Sequence, residues 1–313
     1  MYGLPPRPDK IQDAGSYAVW AKAMSVHPRR WNGELTPRRA QSGVARLIGT
    51  PTASGARTTN TAIQATTSNW SGVVNTMTLK SYSATRSFYY VVADFNVPVA
   101  QQAFNGSGGN ICDGGWDIVS DWVGLDGLNQ NDVLQSGTDS EYYCKGGTHG
   151  PFYGAWIEWF PNGSANVFDI NAGDDMYVEV WDTSDTQGYA YIEDVTLQIS
   201  GTYSLTPAAG IRLNGNEAEY VVERPGGDSL TPNGLYPLAN YIWSFWDFAH
   251  AKTFSGKYYD PGSTASSTWD LTMVDDAGTA NISAPTVGTT GYQGDYSIWF
   301  QDENCAQSGG CAP

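Results

Sequence analysis

From residue 69 onward the chain alternates apolar and polar positions in short bursts. The stretches 87–97 (SFYYVVADFNV), 121–125, 155–160, 176–181, 189–199, 218–223, 241–245 and 296–300 combine β-branched and aromatic residues with a period of two, which predicts strands. Turn clusters such as Gly106-Ser107-Gly108-Gly109 and Pro225-Gly226-Gly227 lie between them. No helical period intervenes, so the expected class is all-β, a two-sheet antiparallel sandwich of jelly-roll type. Alternation also assigns faces. Glu219, Val221 and Glu223 share one face, opposite Ala218, Tyr220 and Val222. Trp156, Glu158 and Phe160 oppose Ala155, Ile157 and Trp159, while Trp122, Gly124 and Asp126 form a third set.

The first 60 residues follow different rules. Tyr2-Gly3-Leu4-Pro5-Pro6-Arg7-Pro8 is expected to be extended, because proline fixes φ and biases its predecessor away from helix. Residues 13–25 predict a short helix with Tyr17, Trp20 and Met24 on one stripe, and the Thr-, Ala- and Ser-rich 50–68 reads as a linker. The expected division is therefore a basic, partly helical leader with linker over 1–68 and a sandwich domain over 69–313.

Charge sharpens that division. The chain carries a formal −16, yet residues 1–60 hold nine of its 16 Lys and Arg against three acids, a local +6. The remainder holds seven bases and 29 acids, a net of −22. Such a surface argues against nucleic acid as a partner and suits acidic surroundings, where few bases limit the positive charge that builds as carboxylates protonate. With 36 Gly, 19 Tyr and 12 Trp but only 15% charged residues, the composition also favours strands and turns over helices. No stretch approaches the roughly 20 apolar residues of a membrane span. Four cysteines, Cys112, Cys144, Cys305 and Cys311, fit no metal spacing and predict two disulfides in an exported protein, Cys112 with Cys144 and Cys305 with Cys311 among three possible pairings.

Several chemistries are excluded by what is missing. Only His27, His149 and His250 are present, with no His-Glu-x-x-His run and no Gly-x-Ser-x-Gly elbow, which speaks against a zinc hydrolase or a serine triad. No Asp-Thr-Gly, Asp-Ser-Gly or phosphate loop occurs either. Carboxylates and amides on strands remain, and no cofactor is called for.

Four segments bear on this: Asn69-Trp70-Ser71-Gly72, Trp122-Val123-Gly124-Leu125-Asp126-Gly127, Leu134-Gln135-Ser136-Gly137 and Ala218-Glu219-Tyr220-Val221-Val222-Glu223. A fifth, Trp156-Ile157-Glu158-Trp159-Phe160-Pro161, lies between the last two. In this order they resemble the glutamic peptidases, or eqolisins, in a form with an N-terminal extension. The resemblance implies a lectin-like sandwich with a concave, substrate-binding sheet and an endopeptidase acting on polypeptides at acid pH without metal or covalent intermediate. It places the catalytic pair at Gln135 and Glu223, with Glu219 as the alternative on the same strand face. Glu223 would serve as base and then acid, and Gln135 as oxyanion donor and water holder. Trp70, Trp122, Asp126, Asp139, Trp156 and Glu158 carry over as pocket walls and supporting carboxylates. Gly154 and Arg224-Pro225-Gly226-Gly227 depart from the family pattern, which bears on subsite preference.

The opposed charges of leader and domain suggest an inhibitory propeptide held over an acidic groove and loosened by protonation. A monomer is expected. The competing function is a lectin or glycoside hydrolase, since concave sandwiches also bind sugars and Glu158 with Glu223 can imitate an acid pair.

Overall fold

The computed structural model describes residues 10, 14–25, 29–53, 62–105, 109–110, 114–145, 148–227, 233–262, 267–288 and 297–303. Strand pairing links 19 strands into one hydrogen-bonded network, which resolves into two layers. The first layer runs, edge to edge, through Thr36–Pro37, Ala165–Asp169, Thr148–Phe160, Val133–Lys145, Trp116–Leu125, Glu217–Glu223, Trp70–Thr76, Ser267–Val274, Ile63–Thr67 and Leu47–Ala53. The second runs through Arg29–Arg30, Ile199–Leu205, Gln187–Asp194, Asp175–Ser184, Phe88–Asn96, Trp243–Thr253, Ser297–Asp302 and Asn281–Gly288. The layers join where Ser267–Val274 turns back as Asn281–Gly288. All neighbours are antiparallel except at Ile63–Thr67 and Arg29–Arg30.

The layers meet through one apolar core. Val119, Val123, Leu134, Ile157, Trp159, Tyr220 and Val222 of the first sheet pack with Val91, Phe95, Met176, Val178, Ile192 and Trp246 of the second. Period-two alternation therefore predicts the buried face of the 155–160 and 218–223 strands correctly, and the alternate residues of the first sheet are left for its outer face.

Two expectations change. The run 189–199 is not one strand but two, Gln187–Asp194 and Ile199–Leu205. Asp194 Oδ1 accepts the Leu197 N–H at 2.7 Å, and Gln198 turns the chain at a φ of 56°. The stretch 50–68, read as linker, holds the end of one strand of the first sheet, Leu47–Ala53, and the whole of another, Ile63–Thr67. Of the cysteines, Cys112, Cys305 and Cys311 lie outside the described residues, and Cys144 is buried with its Sγ accepting from Gln102 Nε2 at 3.3 Å.

The leader wraps both layers. Its helix, Ala14–Ser25, lies on the outer face of the second sheet, with Ala23 buried in a cluster of Tyr90, Tyr177, Trp181, Tyr191 and Phe248. Lys22 Nζ reaches Asp94 at 3.3 Å and Asp175 at 3.2 Å. The chain then pairs with one edge of the first sheet at Thr36–Pro37 and with the other at Leu47–Ala53, crossing the face between. Nine inter-strand steps separate those edges, about 43 Å along the sheet, whereas ten residues span at most about 35 Å. The crossing segment is thus a chord, and the face it crosses is concave.

Many carboxyls are buried, and burial raises their pKa: Glu179 and Asp182 are pushed up to about 8, and Asp121 and Asp126 to about 7. The Tyr90 and Tyr177 hydroxyls donate to Glu179, and Tyr82 donates to Asp182. A group that binds its proton more tightly when folded contributes stability that is complete below its unfolded pKa, about 4, and is lost as pH rises through the folded value. Calorimetric Tm is therefore expected to be higher at about pH 4 than at about pH 8, by roughly 5 °C or more; a flat or rising profile would contradict the burial of these groups.

Candidate active site

The centre of the concave face is set by register. Glu223, Ser120 and Asp139 form one row across the Glu217–Glu223, Trp116–Leu125 and Val133–Lys145 strands. Val221, Trp122, Gly137 and Trp156 form the next, and Glu219, Gly124, Gln135 and Glu158 the one after. Each row turns alternate residues to the concave face because each strand places its other set in the core between the sheets.

Gln135 Nε2 donates to Glu158 Oε2 at 3.1 Å, and Gln135 Oε1 has no partner among the described residues. Trp122 Nε1 donates to Glu223 Oε2 at 2.9 Å. The Trp122 indole packs edge-on against Trp70 at 4.8 Å between centroids. Both rings need glycines: a Cβ at Gly124 would lie 2.8 Å from Trp122 Cζ3, and one at Gly127 would lie 2.8 Å from Trp70 Cη2.

This arrangement separates the two candidate glutamates. By register Glu219 is level with Gln135, two strands away, but the Trp122 indole fills the space above Gly124 between them. Glu219 is fully buried, and its carboxyl is held well above the usual range by burial and by Glu217, Asp126 and Asp132. Glu223 instead lies in the field of Arg38 and is near enough to Glu158 to raise that residue's pKa. Asp139 stands in the row of Glu223, where Ser120 Oγ donates to it at 2.5 Å.

Asp126 is elsewhere. Its backbone is left-handed, with φ at 64°, and Gly127 follows at 129°, so the strand stops at Leu125 and the alternation ends with it. The carboxylate accepts the N–H groups of Asn214, Gly215 and Asn216 at 2.6, 2.9 and 2.9 Å. It shapes a loop and supports neither Gln135 nor the groove floor. Arg224, beside Glu223 in sequence, turns away to Tyr236 O and Asp276.

The groove is filled by the leader. Arg38 is buried, pairs with both Asp139 oxygens at 2.5 and 2.6 Å, and lies 3.6 Å from Glu158. Its guanidinium sits 3.8 Å from the Trp156 ring centre and donates to Ser120 and Ser42. Burial opposes its charge, but Asp139, Glu158 and Glu223 together outweigh that and its pKa is raised. Next to it, Arg39 stacks on Trp116 at 3.7 Å and reaches Glu141 at 3.3 Å. Gln41 bridges Gly226, Gly43 N–H donates to Glu223 Oε1 at 3.1 Å, and Ala45 N–H donates to Gly127 O at 3.0 Å. Arg38, Ser42 and Gly43 escaped the sequence analysis; the local +6 was their only signal.

The leader also sets the local electrostatics. Burial pushes Glu223 up to about 7, against the opposing pull of Ser42, Arg38, Gly43 and Trp122. Burial likewise raises Glu158 well above the usual carboxylate range, although Arg38 opposes it. Among the described residues there is no group of three or more His, Cys, Asp or Glu side chains placed to hold a metal.

A family model, the Peptidase A4 family, matches residues 68–291. Aspergillopepsin-2 of Aspergillus niger is 33% identical over 178 residues, 52% of this chain and 58% of that protein. Scytalidopepsin B of Scytalidium lignicola is 32% identical over 159 residues, 50% of this chain and 51% of that protein. The chain thus spans about half the length of these relatives. Among solved structures, scytalido-glutamic peptidase with a transition state analog inhibitor superposes with a TM-score of 0.56 at 22% identity, over 75% of this chain and 98% of that one, a likeness of fold. By the span of the family match, residues 68–291, the chain belongs to the peptidase A4 family.

Proposed function

We propose that the protein is an acid-acting endopeptidase whose pair is Gln135 and Glu223, with residues 36–48 as its own inhibitory plug. The observation that carries this is the plug itself: a polypeptide main chain lies across the concave face and meets Glu223 by a backbone N–H. A groove that seats a peptide in this way is suited to peptide substrates. Family membership and the similar named peptidases support the same reaction class over the sugar-binding alternative.

In the proposed reaction Glu223, ionised, takes a proton from water as the hydroxyl oxygen adds to the scissile carbonyl carbon. The Gln135 Nε2–H group, oriented by Glu158, donates to the oxygen that becomes negative. Glu223 then returns the proton to the leaving nitrogen. Trp122 Nε1 fixes the carboxylate that does both. While the leader is seated, burial keeps the pKa of Glu223 near 7. Its departure readmits water, lowers that value and makes the ionised base accessible in acid. The leader is held by charge as well as by burial, through the ion pair of Arg38 with Asp139.

Digestion of acid-denatured protein at about pH 4, after an acid pre-incubation, is expected to fall by about a hundredfold or more in Gln135→Ala and Glu223→Gln. Glu219→Gln, which replaces a buried neutral carboxyl by its amide isostere, is expected to stay within about threefold of the wild type. Activity surviving in Glu223→Gln and lost in Glu219→Gln would transfer the role to Glu219, while sugar release without peptide cleavage would support the alternative.

Arg38→Met leaves Asp139 without its cation and is expected to loosen the leader. Hydrogen exchange at the amides of residues 41–45 should quicken at neutral pH by about tenfold or more. Unchanged protection would mean that Arg38 does not hold the plug.

A further inference from the structure

We propose that Asn69 is a substrate-binding residue, whose carboxamide holds the main chain of the leaving segment of a peptide as a neighbouring strand would. The inference rests on the peptidase function proposed above and adds a subsite that accepts any side chain.

Asn69 opens the first of the five sequence segments, and the reaction as described leaves it without a task. Its side chain is buried and uses both ends of the amide. Nδ2 donates to the Val44 carbonyl at 3.1 Å, and Oδ1 accepts the Arg46 N–H at 2.8 Å. In an extended chain the C=O of one residue and the N–H of the next but one point to the same side, so one amide group can take both. A residue of a parallel strand meets its neighbour in the same way. Both bonds are to main chain, and the Arg46 side chain goes elsewhere, its Nη1 donating to Asn233 O at 2.7 Å. The contact therefore recognises a peptide backbone and not a sequence.

The seat is stiff and tied to the catalytic carboxylate. Asn69 O accepts the N–H of Arg224, the residue after Glu223, at 2.8 Å. Thr67 Oγ1 pins the corner by accepting the Trp70 N–H at 2.7 Å and donating to Trp70 O at 2.5 Å. Asn69 Nδ2 also lies 3.4 Å from Glu223 Oε1, the oxygen that the Gly43 N–H reaches at 3.1 Å. One amide thus sets the spacing between Glu223 and a peptide backbone. An aspartate here would keep the acceptor but lose the donor.

In this reading Gly43, Val44 and Arg46 stand in for the main chain of a substrate. The amide nitrogen that meets Glu223 corresponds to the leaving nitrogen. The Val44 carbonyl then stands for that of the second residue after the cleaved bond, and the Arg46 N–H for that of the fourth.

The test uses two peptides identical before the cleaved bond, with either one or four residues after it, assayed at about pH 4 after acid pre-incubation. The gain in kcat/KM from the longer segment is expected to be about tenfold smaller in Asn69→Ala than in the wild type, with the difference in KM. Methylating the nitrogen of the fourth residue should slow the wild type by about fivefold or more and Asn69→Ala by less than about twofold. An equal gain in both enzymes would make Asn69 a part of the fold alone and overturn the proposal. So would full-rate cleavage of the methylated peptide by the wild type, a measurement that stands even where Asn69→Ala does not fold. If the wild type cuts neither unmodified peptide, the peptidase function itself fails; if it cuts both and Asn69→Ala leaves the gain intact, only this inference does.

Discussion

One buried cation in an acidic groove organises the site: the guanidinium of Arg38, paired to Asp139 and flanked by Glu158. A fully buried charge is costly unless its partners are close and its donors are used. Here they are, with Asp139, Ser42 and Ser120 accepting and the Trp156 ring beneath. Its partners are brought together only by the register of three neighbouring strands. Remove that register and the cation has no place, and the leader loses its central anchor.

The first sheet does the positioning. Its inner face is an ordinary aliphatic and aromatic core shared with the second sheet, which fixes each strand against slippage, since a one-residue slip would exchange core for groove. The outer face can then afford Trp, Glu and Gln side chains at fixed spacing. Glycines at 124 and 127 supply the room for two indoles, and one of those indoles in turn orients Glu223.

Much of this was legible from alternation alone. The faces of 155–160 and 218–223 follow from period two, and so does the placement of Glu158, Glu219 and Glu223 on one side of the sheet. The choice between Glu219 and Glu223 did not follow, because both point the same way; it turns on where the Trp122 ring lies, which is a matter of packing across strands. Alternation does not extend to Asp126, where a left-handed backbone ends the strand, and the Asp126-Gly127 pair is itself a turn signal. The 189–199 run hid a turn at Asp194 that its apolar neighbours masked. In the leader no period exists to read, so its net charge was visible but its contacts were not.

The leader's path across the first sheet has a mechanical side. A chord of ten residues joins two edges that lie about 43 Å apart along the arc, and it cannot lengthen beyond about 35 Å. It acts as a bowstring: if the sheet flattens, one of the two edge pairings must tear, and while both hold, the sheet stays bent. Curvature of the groove and attachment of the leader are therefore a single variable. Severing the string anywhere along its span lets the bow relax.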